Sequence, residues 1–314
     1  MMRINRHGFF CGCGGEGDLL KDLIGMTKPG IIRLNLVAAF GGYWIAASHE
    51  PDWMLLLWTL LGSALTMASA CVFNNYWDRD LDSRMERTKD RALAAGRVKP
   101  AFALVYATVL GVAGLLILFL LVNPLAGLMG LIGHFAYVVV YTILLKRRSP
   151  WSTDVGGIAG AMPPVIGYTA KTGAIDAGAV LLFALLFFWQ PPHFWSLGIR
   201  RRDEYAAAGF PMLPVVKGVF RAKVHMAVYI ALLIPTCVLL YAYGYVGAVF
   251  LAVSVLLSAW WLIDTLAGFR ARDDAKWARG NFLISVNYLL VIFVVMVLDA
   301  KNFYRSWLIN WLNH

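Results

Sequence analysis

Charge is scarce in this chain. Asp, Glu, Lys and Arg together supply 15% of its 314 residues, whereas hydrophobic residues supply 60%. A soluble domain of that composition could not cover its surface with polar groups, so an all-α polytopic membrane protein is expected. Cysteine is scarcer still, with four residues, which excludes a disulfide framework. Cys71 and Cys237 sit inside apolar segments and read as core. Cys11 and Cys13 form a CGC pair in a leader of residues 1–27, too few thiols for a structural metal site. A secretory signal is not expected either: Arg3 and Arg6 precede no long apolar core, and Glu16 and Asp18 argue mildly against a mitochondrial presequence.

What is present is a series of apolar runs. Nine segments are each long enough to span as a helix: 32–48, 53–76, 101–122, 125–145, 154–171, 177–199, 222–243, 245–268 and 281–298. They define one membrane domain over residues 28–300, with an interfacial turn expected around Leu19 to Ile24 and a short tail at 301–314. The fifth run, GGIAGAMPPVIG, predicts close helix packing or a kink. Pro191 and Pro192 predict a break near the end of the sixth. With the N-terminus inside, 25 of the 28 Lys and Arg residues fall on the cytoplasmic side, leaving Lys171, Lys301 and Arg305 outside. That asymmetry orients the chain in a bacterial inner membrane, C-terminus outward, with Trp307 and Trp311 at the outer interface. The net charge of +10 is therefore accounted for by topology, and no nucleic-acid partner is expected.

At the cytoplasmic end of the second run the sequence reads NNYWDRDLD, Asn74 to Asp82. If the helix continues, Asn74, Asp78 and Asp82 recur every four residues on one face, while Asp80 points away. Carboxylates so spaced suit a hard divalent cation, above all magnesium shared with phosphates. A solvated loop whose carboxylates pair with Arg79 and Arg84 accounts for the spacing equally well. The same side of the membrane carries Arg84, Arg87, Arg91, Lys146 and Arg147, together with the stretch WQPPHFWSLGIRRRDEY, which holds His193, Asp203 and Glu204. A cytoplasm-facing central cavity combining these groups fits a diphosphate whose apolar tail lies in the bilayer.

NNYWDRDLDSRMERTKDR resembles the first aspartate-rich motif of the intramembrane UbiA-type prenyltransferases. More narrowly, YWDRDLD, YTILLKRRSP, GGIAGAMPPVIG, WQPPHFWSLGI and AGFPMLPVVKG resemble, in order, the signatures of the protohaem IX farnesyltransferase (haem O synthase) family. TKPGIIRLNL and WWLIDTLAGFR fit as well, so the resemblance covers roughly residues 26–298. Two departures stand out. The quinone-type members' second aspartate repeat is represented only by Asp203 and Glu204, and Ala92 replaces a frequent proline.

The resemblance implies a magnesium-dependent transfer of farnesyl from farnesyl diphosphate to a vinyl group of haem B. Asn74, Asp78 and Asp82 would hold the metal, and Arg87, Arg91, Lys146 and Arg147 would clamp the diphosphate. For each of these basic residues the alternative is an ordinary topogenic charge. His193 is either a ligand or base at the acceptor, or a hydrogen-bonded packing group. Trp77, Phe194, Asn35 and Tyr141 are candidates for lining the acceptor and shielding the allylic cation, with Asp203 and Glu204 beside them. A downstream haem A synthase is an expected partner besides the bilayer. The competing readings are a prenyltransferase for a phenolic quinone precursor, and a haem or small-molecule transporter with a Gly/Pro-broken helix.

Overall fold

The computed structural model describes residues 16–47 and 50–300. The elements of the described residues are helices: α1 Glu16–Met26, α2 Pro29–Ala47, α3 Trp53–Asp82, α4 Pro100–Ile117, α5 Pro124–Phe135, α6 Ser152–Thr172, α7 Ala177–Arg200, α8 Arg202–Ala207, α9 Leu213–Val216, α10 Val219–Ala242, α11 Ala248–Ala267 and α12 Asp274–Leu298. π-helical turns extend α4 to Val122 and α5 to Leu145. Cys11, Cys13, Trp307, Trp311 and the tail at 301–314 lie outside the described residues.

Eight of these helices are long and apolar enough to cross a membrane, one fewer than the nine expected. The odd one is α6. It is a helix of 21 residues, but its glycines, prolines and polar residues leave it short of apolar character. It is instead the most enclosed segment of the bundle: every residue from Ala161 to Ala170 is buried, and α2, α5 and α7 pack around it. The α2–α6 crossing is backbone on backbone. A Cβ at Gly167 would fall 1.9 Å from the Ala39 carbonyl oxygen, and one at Gly42 would fall 2.0 Å from that of Pro164. Small residues permit this approach, and in a bilayer close van der Waals packing is a main source of helix association. Gly167→Leu is accordingly expected to abolish accumulation of folded protein. Gly30→Ala, whose Cβ would meet nothing within 4 Å, is expected to change the midpoint of thermal unfolding in detergent by no more than a degree or two. Equal melting of the two variants would contradict this packing.

The expected break at Pro191–Pro192 does not occur, since α7 runs unbroken from Ala177 to Arg200. Both prolines are buried in the packed bundle, and Gln190 Nε2 binds the carbonyls of Leu186 and of Gly157 in α6, each at 3.1 Å. Packing against α6 and α12 sustains the helix through the pair. The turn expected at Leu19–Ile24 is part of a longer helix, α1. Its Leu23 and Met26 pack under the loop after α3 with Val72, Leu93 and Val98, while Leu19, Leu20 and Ile24 stay exposed. Cys71 and Cys237 are buried and free, as expected of core residues.

Candidate active site

Asp52 starts α3 by accepting hydrogen bonds from the Met54 and Leu55 amides at 3.0 and 2.9 Å. The helix then runs for 30 residues, through the acidic motif to Asp82, so the loop reading of the motif is excluded. Helical geometry puts Asn74, Asp78 and Asp82 on the inward face, where they are 2%, 0% and 5% exposed. Asp80 faces out, with about half of its side chain exposed.

One oxygen of each of the ladder residues Asn74, Asp78 and Asp82 meets a cation. Lys146 Nζ donates to Asp78 Oδ2, which also accepts from Asn74 Nδ2 at 2.9 Å. Arg91 donates to Asp82 Oδ2 at 2.7 Å. Lys28 Nζ donates to Asn74 Oδ1 at 2.7 Å. Arg147 lies 3.7 Å from Asp78 Oδ1 and is committed elsewhere: it pairs in bidentate fashion with Asp80 at 2.7 and 3.0 Å and donates to the Trp77 carbonyl. Asp80 therefore pairs with Arg147 across the helix interface, and not with Arg84, the partner offered by the loop reading. Asp78 Oδ1 is left buried with no hydrogen-bond donor, and such an orphan in a charged centre calls for an explanation.

The second wall comes from the π-helical end of α5. Its wider turn closes with the Lys146 amide bonded to the Tyr141 carbonyl at 2.8 Å, and π turns recur at functional sites. From this turn Thr142 accepts from Asn74 at 3.2 Å, and Lys146 reaches Asp78. The Lys146 ammonium sits 5.7 Å from the Tyr141 ring and 5.4 Å from that of Phe210, a cation flanked by two π faces. Burial works against its charge, but Tyr141, Asp78 and Asp82 outweigh that and raise its pKa. For Lys28, burial is the larger influence and pushes the ammonium down to about 8, with Arg91 and Lys146 adding to the effect and Asp78 opposing it.

Lys28 was not among the residues singled out from the sequence. It occupies the junction of α1 and α2 with a left-handed backbone, φ 56°, and Asn75 fixes that junction by donating to the Met26 carbonyl at 2.8 Å. Thr88 was also missed; its hydroxyl donates to the Asp82 carbonyl at 2.9 Å and folds the following loop back over the motif. Phe210, on the segment between α8 and α9, packs with Met85 and Ala208 over the same end of the bundle.

Several expected members stand apart. Arg87 is exposed and makes no ion pair among the described residues. Asn35 donates to the Ile31 carbonyl of its own helix at 2.9 Å. Trp77 and Phe194 are 37% and 42% exposed. Asp203 is exposed, and Glu204 pairs with Arg201 at 2.9 Å. His193 faces α12: its Nδ1 lies 2.7 Å from Ser285 Oγ, and its ring stacks with those of Trp189 and Phe282. The expected central cavity has no counterpart among the leading cavities of the described residues. Two openings, of about 180 and 480 Å³, lie along α11 and α12. At the polar end of the bundle the carboxylates and cations pair directly with one another.

Among the described residues no three His, Cys, Asp or Glu side chains are grouped to hold a metal alone. Magnesium does not require that. It binds through one or two carboxylates, keeps waters and shares substrate phosphates. Asp78, Asp82 and Asn74 form an all-oxygen donor set of this kind, and the orphaned Asp78 Oδ1 is an oxygen with nothing yet to bind.

The sequence model of the UbiA prenyltransferase family matches residues 35–287. Protoheme IX farnesyltransferase 1 of Bacillus subtilis (strain 168) is 44% identical over 291 residues, covering 90% of this chain and 91% of that protein. Protoheme IX farnesyltransferase of Klebsiella pneumoniae is 44% identical over 281 residues, covering 90% and 95%. Among solved structures, the chain matches one concerned with digeranylgeranylglyceryl phosphate synthase with a TM-score of 0.76 at 16% identity, covering 90% of this chain and 98% of that one. It matches a UbiA homolog from Archaeoglobus fulgidus bound to DMAPP and Mg2+ with a TM-score of 0.64 at 18% identity, covering 88% and 99%. At those identities the structural matches speak for the fold.

Proposed function

The chain belongs to the UbiA prenyltransferase family, and we propose that the residues around Asp78 carry its protoheme IX farnesyltransferase activity, moving farnesyl from farnesyl diphosphate to a vinyl group of haem B. One observation carries this reading: Asn74, Asp82 and Asp78, whose oxygens could hold a metal, are each faced by a cationic side chain that could hold a phosphate. A site built for either partner alone needs only half of that arrangement. With both partners bound, Lys146, Arg91 and Lys28 are free to turn from the carboxylates to the diphosphate oxygens.

Asp78, Asp82 and Asn74 would hold magnesium, which when bound neutralises the charge developing on the departing diphosphate. Lys146, Arg91, Arg147 and Lys28 bind and orient that diphosphate, and their charge is most valuable as the bond between farnesyl C1 and oxygen breaks. The bonding pair leaves with the diphosphate. A vinyl carbon of haem B then bonds to C1, water adds to the neighbouring carbon, and a proton is lost, giving a hydroxyethylfarnesyl side chain. Tyr141 and Phe210, beside Lys146, exclude water from the cation until the carbon–carbon bond has formed. The site faces the cytoplasm in the orientation set by the basic loops, and the apolar product passes on to a haem A synthase.

The test offers the purified protein labelled farnesyl diphosphate with either haem B or 4-hydroxybenzoate. Label is expected in the haem fraction alone. Prenylated phenol without prenylated haem would keep the acidic ladder and overturn the acceptor.

A further inference from the structure

Lys28 stands where its residue type is least at home. α1 ends at Met26, and Lys28 follows with its amide on the Gly25 carbonyl at 3.2 Å and a left-handed backbone, φ 56°. Among the described residues it is the only non-glycine with a positive φ. Glycine is the usual occupant just past a helix end, because a Cβ is strained in that conformation. Pro29 comes next and restricts the residue before it further. Two glycines do lie within three residues, Gly25 and Gly30, but at positions with room for a side chain and no positive φ. The chain thus places lysine at the turn that favours glycine. A local preference overridden in this way marks a place where the side chain itself is needed, and the Lys28 ammonium donates to Asn74 Oδ1 at 2.7 Å.

Backbone strain persists only where the surroundings hold it. Asn75, 3% exposed, donates from Nδ2 to the Met26 carbonyl at 2.8 Å. That carbonyl is one of those a helix end leaves without an internal partner. Asn74 and Asn75 therefore divide the junction between them: one takes the Lys28 ammonium, the other the backbone two residues earlier. A second tie holds the body of α1. Arg97 donates from Nε and Nη2 to the two Asp22 oxygens, each at 2.8 Å, and from Nη2 to the Asp90 carbonyl at 3.0 Å. Apolar packing adds little, since Leu23 and Met26 are covered while Leu19, Leu20 and Ile24 are exposed. If α1 needed only to be held, glycine or asparagine at position 28 would serve with less strain.

We propose that Asn75 and the Asp22–Arg97 pair are positioning residues for the donor's diphosphate: they fix α1 so that Lys28 keeps its left-handed backbone and aims its ammonium at the acidic ladder. This rests on Lys28 being a diphosphate ligand, as proposed above. Asn75 lies within the acidic motif but holds neither metal nor phosphate; its amide is spent on the end of α1. Because these residues act through Lys28, their effect falls on affinity for the donor and not for the acceptor.

The test is calorimetric titration of the protein in nanodiscs with inorganic pyrophosphate and magnesium, with haem farnesylation assayed on the same samples. It compares wild type, Asn75→Ala, Asp22→Asn and Lys28→Met, and each of the first two substitutions combined with Lys28→Met. Asn75→Ala is expected to weaken pyrophosphate binding about tenfold and to raise KM for farnesyl diphosphate by a similar factor, with KM for haem B unchanged. Asp22→Asn, which breaks a surface ion pair, is expected to cost about two- to threefold. Neither substitution should add to the loss in Lys28→Met, because residues that act through one another are not additive. Additive losses, wild-type pyrophosphate affinity in both Asn75→Ala and Asp22→Asn, or a wild type that binds no pyrophosphate overturns the proposal. Should Asn75→Ala fail to accumulate, Asp22→Asn decides on the same criteria. If wild type farnesylates haem while the losses add, only the positioning assignment falls. If wild type binds pyrophosphate without farnesylating haem, the functional reading falls and the positioning assignment is judged on the titrations.

Discussion

Asp78→Asn is expected to lower the rate of haem farnesylation by about 10²- to 10³-fold, the usual loss when one preorganised electrostatic group is removed, while leaving the bundle folded. The substitution preserves shape and removes charge at a side chain that is fully buried. Asp78 is where the elements of the site converge: Asn74 from its own helix, Lys146 from the end of α5, and Arg147 at 3.7 Å. Replacing it takes one donor from the metal set and leaves Lys146 without its direct partner, so both halves of the site are damaged at once. Turnover at saturating substrate, with products separated by mass, is the measurement. A monodisperse Asp78→Asn protein with wild-type turnover would contradict the assignment.

Lys146→Met is the second large effect. Removing one partner of a buried pair leaves the other charge uncompensated, at about 3–5 kcal/mol. Here the figure is an upper bound, because Arg147 remains near Asp78 and about a fifth of the Lys146 side chain is exposed. The functional loss is expected in kcat/KM for farnesyl diphosphate, by about 10²-fold on the scale of one lost electrostatic contact, with the KM for haem B nearly unchanged. Lys146→Arg should rescue poorly. The site is a slot for a compact ammonium between the Tyr141 and Phe210 rings, and a planar guanidinium is not a conservative replacement there. Full rescue by arginine, or a loss confined to haem affinity, would show that Lys146 acts elsewhere.

The parts of this site readable from sequence are those written in short-range periodicity. Asn74, Asp78 and Asp82 recur at the helical repeat, and α3 places all three on one buried face. The spans were readable for the same reason, since their boundaries are changes of composition. α6 is the informative exception. It was expected to span because its length is right, yet it lacks the apolar character of the other eight long helices, and only its neighbours explain how it is accommodated. Lys28 was unreadable because it lies 46 residues from Asn74, in a segment whose basic residues look like ordinary topogenic charges. Arg147 was named as a diphosphate clamp, but its partner Asp80 lies 67 residues away, whereas Arg84 is four residues from Asp80 and was the obvious choice. The Pro191–Pro192 pair misled in the opposite sense: its local rule predicts a break, and buried packing against α6 and α12 sustains the helix.

The central claim is that carboxylates and cations now paired with one another separate to hold magnesium and a diphosphate between them. A single-turnover time course in nanodiscs tests it most directly, with haem B and farnesyl diphosphate, first with EDTA and then with magnesium in excess of the chelator. The account predicts no farnesylated haem until magnesium is restored, and then a burst of hydrated, farnesylated product together with free diphosphate. Undiminished product formation in EDTA would contradict it.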